Sequence, residues 1–153
     1  MTEPVRLFPF TPKDHDFLAR LAGDPRVTAF IGDGSPWSGA YLAQRMEQAL
    51  QDPGVQWFIA RRGETPVGFF TATRRPEAVE IGYWVDPLHW GQGIAGDMIP
   101  LGLSLLQEQG NTTFAARAFT NNSGSLKLLE RNGFIRQGVD AEDIVTLSLN
   151  TKA

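Results

Sequence analysis

A chain of 153 residues with 42% hydrophobic side chains can bury one core of ordinary size, and a single domain over residues 1–153 is expected. Its formal charge of −3, with no basic block denser than Arg61-Arg62 or Arg74-Arg75, gives no sign of a nucleic-acid surface and favours a cationic or neutral partner. The lack of cysteine excludes disulfides, thiolate metal sites and a Cys nucleophile, and the isolated His15 and His89 make no metal cluster.

In chain order, residues 5–10 alternate as a first strand, closed by Thr11-Pro12. Residues 13–22 carry Phe17, Leu18 and Leu21 at helical spacing behind a cap at Thr11 or Asp14, and Gly23-Asp24-Pro25 breaks into a short second helix with Val27, Phe30 and Ile31. Residues 32–39 form a loop whose Trp37 either lines a substrate cleft or folds back over the core edge. A helix over 38–51 carries Tyr41, Leu42, Met46 and Leu50. Three strands follow as an antiparallel meander, 55–61, 66–73 and 78–85, with a hairpin turn at 62–65 and a bulge or close backbone approach at Gly82.

The main helix is expected over 94–109, with Ile94, Met98, Leu101, Leu105 and Leu106 as its apolar stripe and a kink at Pro100. A strand over 112–119 completes a strand, helix, strand sequence, the mark of a parallel pair. Asn122 or Ser123 caps a helix running to Arg131, Gly133 stops it, and 134–137 and 144–149 are closing strands. The fold class is α/β (α+β), a mixed sheet of six to seven strands flanked by helices. The opening residues, Met-Thr-Glu-Pro-Val-Arg, hold no apolar signal region and no apolar run reaches membrane-spanning length, so a cytoplasmic location without membrane contact is expected.

The stretch from Glu80 to Ala95 concentrates the chemistry. A strand runs into a turn broken by Gly91 and Gly93, and the turn opens a helix whose first N–H groups have no partner within it, which makes an anion site. Gly91, Gly93 and Gly96 match the dinucleotide fingerprint G-x-G-x-x-G, but the context opposes it. Asp86-Pro87-Leu88-His89-Trp90 separates strand from turn, the next strand ends in Phe119-Thr120-Asn121 without an acid, and the preceding meander is antiparallel.

Val85-Asp86-Pro87, Trp90-Gly91-Gln92-Gly93-Ile94-Ala95, Asn122-Ser123-Gly124-Ser125 and Glu130-Arg131-Asn132-Gly133-Phe134 together resemble the GNAT acetyltransferases, in particular the branch of the bacterial ribosomal-protein N-terminal acetyltransferases. The resemblance spans nearly the whole chain. It implies acetyl-CoA as co-substrate and no metal. The pyrophosphate would lie on the amides of Gly91, Gln92, Gly93, Ile94 and Ala95, and the pantetheine would pair with the backbone of Val85 and bond Asn122. The 78–85 and 112–119 strands would have to splay apart for this, helped by a bulge at Gly82. Trp90 stands where the family usually has Gln or Arg at the head of the turn.

Acetyl transfer to an amine needs a neutral amine, donors for the thioester oxyanion and a proton for the departing thiolate. The resemblance makes Glu80 the base, acting through water or with its affinity for protons raised by burial; otherwise it is a solvent-facing strand residue. Backbone N–H groups near Val85 are the oxyanion donors. Ser125 is the candidate partner of the sulfur or else a second cap hydroxyl, because the tyrosine usual four positions further along is Leu129 here. Tyr83 and Tyr41 are the remaining phenols, for the site or for the core. The acceptor is expected beside the 30–39 loop, where Asp33 and Trp37 would receive a cationic amine.

Two function classes stay open. The first is an N-acetyltransferase acting without a covalent enzyme intermediate on a ribosomal-protein N-terminus, a free amino acid, a polyamine or an aminoglycoside. The second is an acyl-CoA-binding sensor that has lost efficient catalysis, with a dinucleotide-binding protein further behind. No interface stripe separates a monomer from a homodimer.

Overall fold

The computed structural model describes residues 3–29 and 34–151. Its seven strands form one sheet: β1 (Val5–Pro9), β2 (Val55–Arg62), β3 (Thr65–Arg74), β4 (Val79–Val85), β5 (Thr113–Phe119), β6 (Ile135–Val139) and β7 (Ile144–Asn150). Their spatial order is β1-β2-β3-β4-β5-β7-β6, so β7 inserts between β5 and the edge strand β6. Pairings are antiparallel except β4 with β5, which is parallel. The meander and the parallel pair thus occur as expected.

Five helices cover the sheet: α1 (His15–Ala22), α2 (Pro25–Thr28), α3 (Gly39–Gln51), α4 (Ile94–Glu108) and α5 (Ser123–Arg131). Each starts where a short polar side chain can take an orphan N–H, or where backbone geometry replaces it. Ser38 Oγ accepts from Tyr41 N–H, Asp24 from Arg26 N–H, and Asn122 Oδ1 from Ser125 N–H. The first helix begins later than 13 because a 3-10 turn, Pro12–Asp14, precedes it, with Thr11 N–H bonded to the Asp14 carboxylate at 3.0 Å.

Two apolar clusters lie on opposite faces of the sheet. Phe58, Phe70, Ile81, Phe114 and Leu147 meet Met98, Ile99 and Leu106 of α4 and Leu126 and Leu129 of α5. Trp57, Ile59 and Phe69 meet Leu18 and Leu21 of α1, Val27 of α2 and Leu42 of α3. The buried stripe of α4 is Ile94, Met98, Ile99, Leu103 and Leu106; Leu101, expected in it, is exposed. Pro100 is exposed and sits inside a helix that continues through it.

β4 is shared by both faces. Strand period two turns Val79, Ile81, Tyr83 and Val85 toward α4 and α5, and Glu80, Gly82 and Trp84 toward α1–α3. β4 pairs with β3 from Arg74–Val79 to Gly68–Val85 without a register shift, so the bulge expected at Gly82 is absent; register shifts fall instead in the β2–β3 pairing, at Ala60/Arg61, and in the β6–β7 pairing, at Arg136/Gly138. Glycine at 82 serves a close approach instead, since a Cβ there would sit 2.9 Å from Thr71 Oγ1.

Candidate active site

The parallel pair is short. β4 and β5 pair through Val79–Phe114 and Glu80–Ala115 and not beyond, while each strand continues for several residues. The V between them opens a cleft of about 510 Å³ at Glu80, with Val85 near its mouth. Glu80, Val85, Trp90, Ala95, Asn122, Ser125 and Trp37 all line this cleft. Gly91, Gln92 and Gly93 stand outside its wall at the start of α4, and Ile94 is only 2% exposed, its side chain in the core, so its backbone alone can serve a ligand. Asp33 lies outside the described residues.

The turn before α4 is built from left-handed backbone. Gly91 has φ 78° and Gly93, the N-cap, φ 75°, a region that costs an L-residue about 1 kcal/mol or more. A Cβ at either position would meet nothing within 4 Å, so conformation rather than space calls for glycine there. The first bond of the helix is Asp97 N–H to Gly93 O at 3.2 Å, which leaves the amides of Ile94, Ala95 and Gly96 without a helical acceptor. Arg62 donates to Gln92 Oε1 at 2.8 Å and brings a guanidinium beside this turn.

Asp86 fixes the corner between β4 and the turn. It is 1% exposed, accepts Leu88 N–H at 3.0 Å, and receives both terminal nitrogens of Arg20, at 3.0 and 2.6 Å. The Arg20 hydrogen bond, with the Leu88 amide adding to it against the cost of burial, holds its carboxyl below the ordinary carboxylate range. A residue of α1 thereby ties one face of the sheet to the turn on the other.

Asp86 N–H bonds Val67 O on β3, and alternate residues of a strand turn their backbone groups to opposite sides, so Val85 presents its own groups to the V. Its carbonyl is already taken by Trp90, whose indole Nε1 donates to it at 2.9 Å. Trp90 is 51% exposed and folds back on the strand it follows. No pattern in the sequence signalled this contact.

Asn122 uses Oδ1 to cap α5, so its side-chain amide donor is what it can offer to the cleft. Ser125 is not a cap hydroxyl: its Oγ lies 2.5 Å from Tyr83 Oη, either group able to donate. Sequence reasoning named Tyr83 only as a phenol of undecided use. It lies on the face of β4 opposite Glu80, and its meeting with Ser125 needs α5 docked beneath that face. Burial raises its pKa above the ordinary phenol value, with the Ser125 hydrogen bond opposing, so the phenol stays protonated through the neutral range. Leu129, where a tyrosine was missed, is a buried core residue at the cleft wall.

Glu80 sits at the vertex with its side chain 30% exposed and Arg75 Nε 3.5 Å away. That is a salt bridge at the rim of the cleft. Trp37 is packed edge-on against Trp84 at 5.1 Å and Tyr41 at 5.0 Å, and Arg45 lies over its ring at 5.7 Å. The ring face expected to meet a cationic amine therefore already faces a guanidinium.

With this geometry in view, the comparisons with known proteins are decisive. Residues 5–135 match the model of the acetyltransferase (GNAT) domain. The chain belongs to the GNAT acetyltransferases. A GNAT relative, the Bacillus subtilis (strain 168) uncharacterized N-acetyltransferase YoaA, is 33% identical over 147 residues, covering 90% of this chain and 83% of that protein. The GNAT fold is shared with the Vibrio cholerae spermidine N-acetyltransferase solved with CoA and spermine (TM-score 0.87, 15% identity, 96% of this chain and 95% of that one). It is shared as well with AAC(6')-Ib solved with paromomycin and acetyl-CoA (TM-score 0.83, 17% identity, 97% of this chain and 94% of that one). As a GNAT enzyme the protein is an acetyl-CoA-dependent acetyltransferase. Among the described residues there is no group of three or more His, Cys, Asp or Glu placed to hold a metal, and no helix long and apolar enough to cross a membrane.

Proposed function

We propose that the protein transfers the acetyl group of acetyl-CoA directly to a primary amine in a ternary complex, within the V between β4 and β5. The observation that carries this reading is the end of the parallel pairing at Glu80–Ala115, which leaves a carboxylate at the vertex, outward backbone at Val85 and two hydroxyls, Tyr83 and Ser125, in one cleft.

The co-substrate's pyrophosphate is assigned to the free amides at the start of α4, with the Arg62 guanidinium nearby, and its pantetheine to Val85 and the side-chain amide of Asn122. Trp90 shares the Val85 carbonyl with this arm or yields it. The incoming ammonium gives its proton to Glu80 through water, and the neutral nitrogen attacks the thioester carbon. The oxyanion is met by backbone N–H near Val85. When the C–S bond breaks, its electron pair stays on sulfur, which takes a proton from Tyr83 directly or through Ser125; the nitrogen gives up its second proton to water as the amide forms, and a proton from water restores the phenol. The phenol lost at position 129 of α5 is thus replaced from β4, which removes the main reason for reading the chain as a catalytically silent sensor.

The resemblance to the ribosomal-protein branch supports a peptide N-terminal amine as acceptor. The spermidine and aminoglycoside acceptors of the proteins sharing this fold support a small-molecule amine. Replacing Glu80→Gln is expected to lower amine acetylation about a hundredfold or more, while CoA still raises the melting temperature. Wild-type turnover in Glu80→Gln would move the base elsewhere, and CoA stabilisation without turnover on any amine would replace the enzyme by a binding module.

A further inference from the structure

The acceptor half of the cleft has a charge pattern opposite to that of the chain. The sequence carries −3 overall, yet among the described residues lining the cleft there are three arginines, Arg26, Arg45 and Arg117, and one carboxylate, Glu80. Two of the three are compensated from behind: Asp24 holds Arg26 at 2.7 Å and Asp140 meets Arg117 at 3.4 Å. Glu80 has its own cation in Arg75. Arg45, half-buried on α3, has no ion pair among the described residues; its guanidinium lies over the Trp37 ring, and Trp37 in turn is held edge-on by Trp84. The wall facing Glu80 is therefore aromatic, with a guanidinium set on it.

Resting on the acetyltransferase reading above, we propose that the acceptor is an amine that also carries a free carboxylate on an apolar body, an amino acid of aromatic or large aliphatic side chain, with Arg45 as the group that reads the carboxylate. An ammonium and a carboxylate on one small molecule would answer Glu80 and Arg45, which line the same cleft. A guanidinium receives a carboxylate through paired N–H donors, and the tryptophans accept the apolar body. A polyamine brings several positive charges to a wall that answers only one of them and meets the rest with arginine. The negative net charge, which favoured a cationic or neutral partner, does not describe this cleft, whose described lining holds three arginines and one carboxylate.

The test compares L-phenylalanine, L-phenylalaninamide and spermidine as acceptors with saturating acetyl-CoA, following thiol release. Phenylalaninamide keeps the amine and the ring and lacks the carboxylate, and it stands also for a peptide N-terminus. For the wild type, kcat/KM is expected to be at least about tenfold higher for phenylalanine than for either of the others, the scale of one charge-assisted contact. Arg45→Gln is expected to collapse that ratio toward one through KM, and Arg45→Glu to make spermidine the preferred acceptor. Phenylalaninamide or spermidine equal to or better than phenylalanine in the wild type overturns the proposal and leaves the acetyltransferase reading standing, as does a phenylalanine preference that survives in both variants. If no amine is acetylated, the transfer reading fails by itself, and thermal stabilisation of the CoA-saturated protein still decides: a rise with phenylalanine and none with phenylalaninamide supports the carboxylate site, and equal or absent rises overturn it.

Discussion

The two faces of β4 build their halves of the cleft from different materials. On the α4–α5 face the ligand-facing groups are mostly backbone: the free amides at the start of α4 and the outward groups of Val85, with Asn122 and the Tyr83–Ser125 pair beside them. On the α1–α3 face they are side chains from three places in the chain, Trp37 of the loop before α3, Arg45 of α3, and Glu80 and Trp84 of β4. Backbone geometry depends little on side-chain identity apart from glycine, so the first half suits a co-substrate common to a family. Side chains can be exchanged one at a time, so the second half can be set to a particular acceptor.

Removing a group from the first half should hurt every acceptor alike, and Tyr83→Phe is the strongest such change. We expect kcat to fall about a hundredfold for all acceptors with little change in KM, and Ser125→Ala added to it to cost less than it does alone, as for two groups acting on one proton. Because the phenol is raised above its ordinary value, the loss should be the same from pH 6 to 9 in a pH–rate profile of kcat; a loss confined to one acceptor would merge the two halves into one.

Next in size is the tie between the faces. Asp86→Asn leaves Arg20 and the buried corner mismatched and is expected to cost roughly 2–3 kcal/mol in denaturant unfolding. The sign with pH follows from the lowered carboxyl. The stabilisation is fully present above the ordinary carboxylate range and is lost as pH falls from there through the lowered value, so the gap between variant and wild type should be full at pH 7 and begin to close only below about pH 4. A gap independent of pH would remove the charge of Asp86 from the account.

The smallest expected effect sharpens the comparison at its edge. Trp90→Phe keeps an aromatic ring and deletes the donor to the Val85 carbonyl. If the indole competes with the pantetheine, KM for acetyl-CoA should fall a few-fold; if it braces the strand for the pantetheine, KM should rise by a similar factor. No change in KM for acetyl-CoA would detach Trp90 from the donor half.

The donor half was legible in advance because its signals are local. Gly91 and Gly93 need left-handed backbone, Asn122 caps within three residues, and the strand leading to Val85 reads by alternation, so the turn, the cap and the order of elements could be placed from short stretches of chain. The error at Gly82 was local as well: a glycine in a strand signals either a bulge or a close neighbour, and only the neighbour, Thr71, decides between them. The acceptor half was read from the 30–39 loop and from net charge; Asp33 lies outside the described residues, the Trp37 ring meets Arg45, and net charge says nothing of which charges face inward.

By itself the sequence determined the order of strands and helices and the glycine turn, because hydrophobic period, capping and backbone conformation act over a few residues. Tertiary structure alone decided that β7 lies between β5 and β6, that β4 and β5 part after Glu80, that Tyr83 meets Ser125 across 42 positions of chain, and that Arg45 stands on Trp37. These follow from how helices pack on two faces of one sheet, and the apolar stripes that drive such packing set which faces are buried without setting which polar groups they bring together.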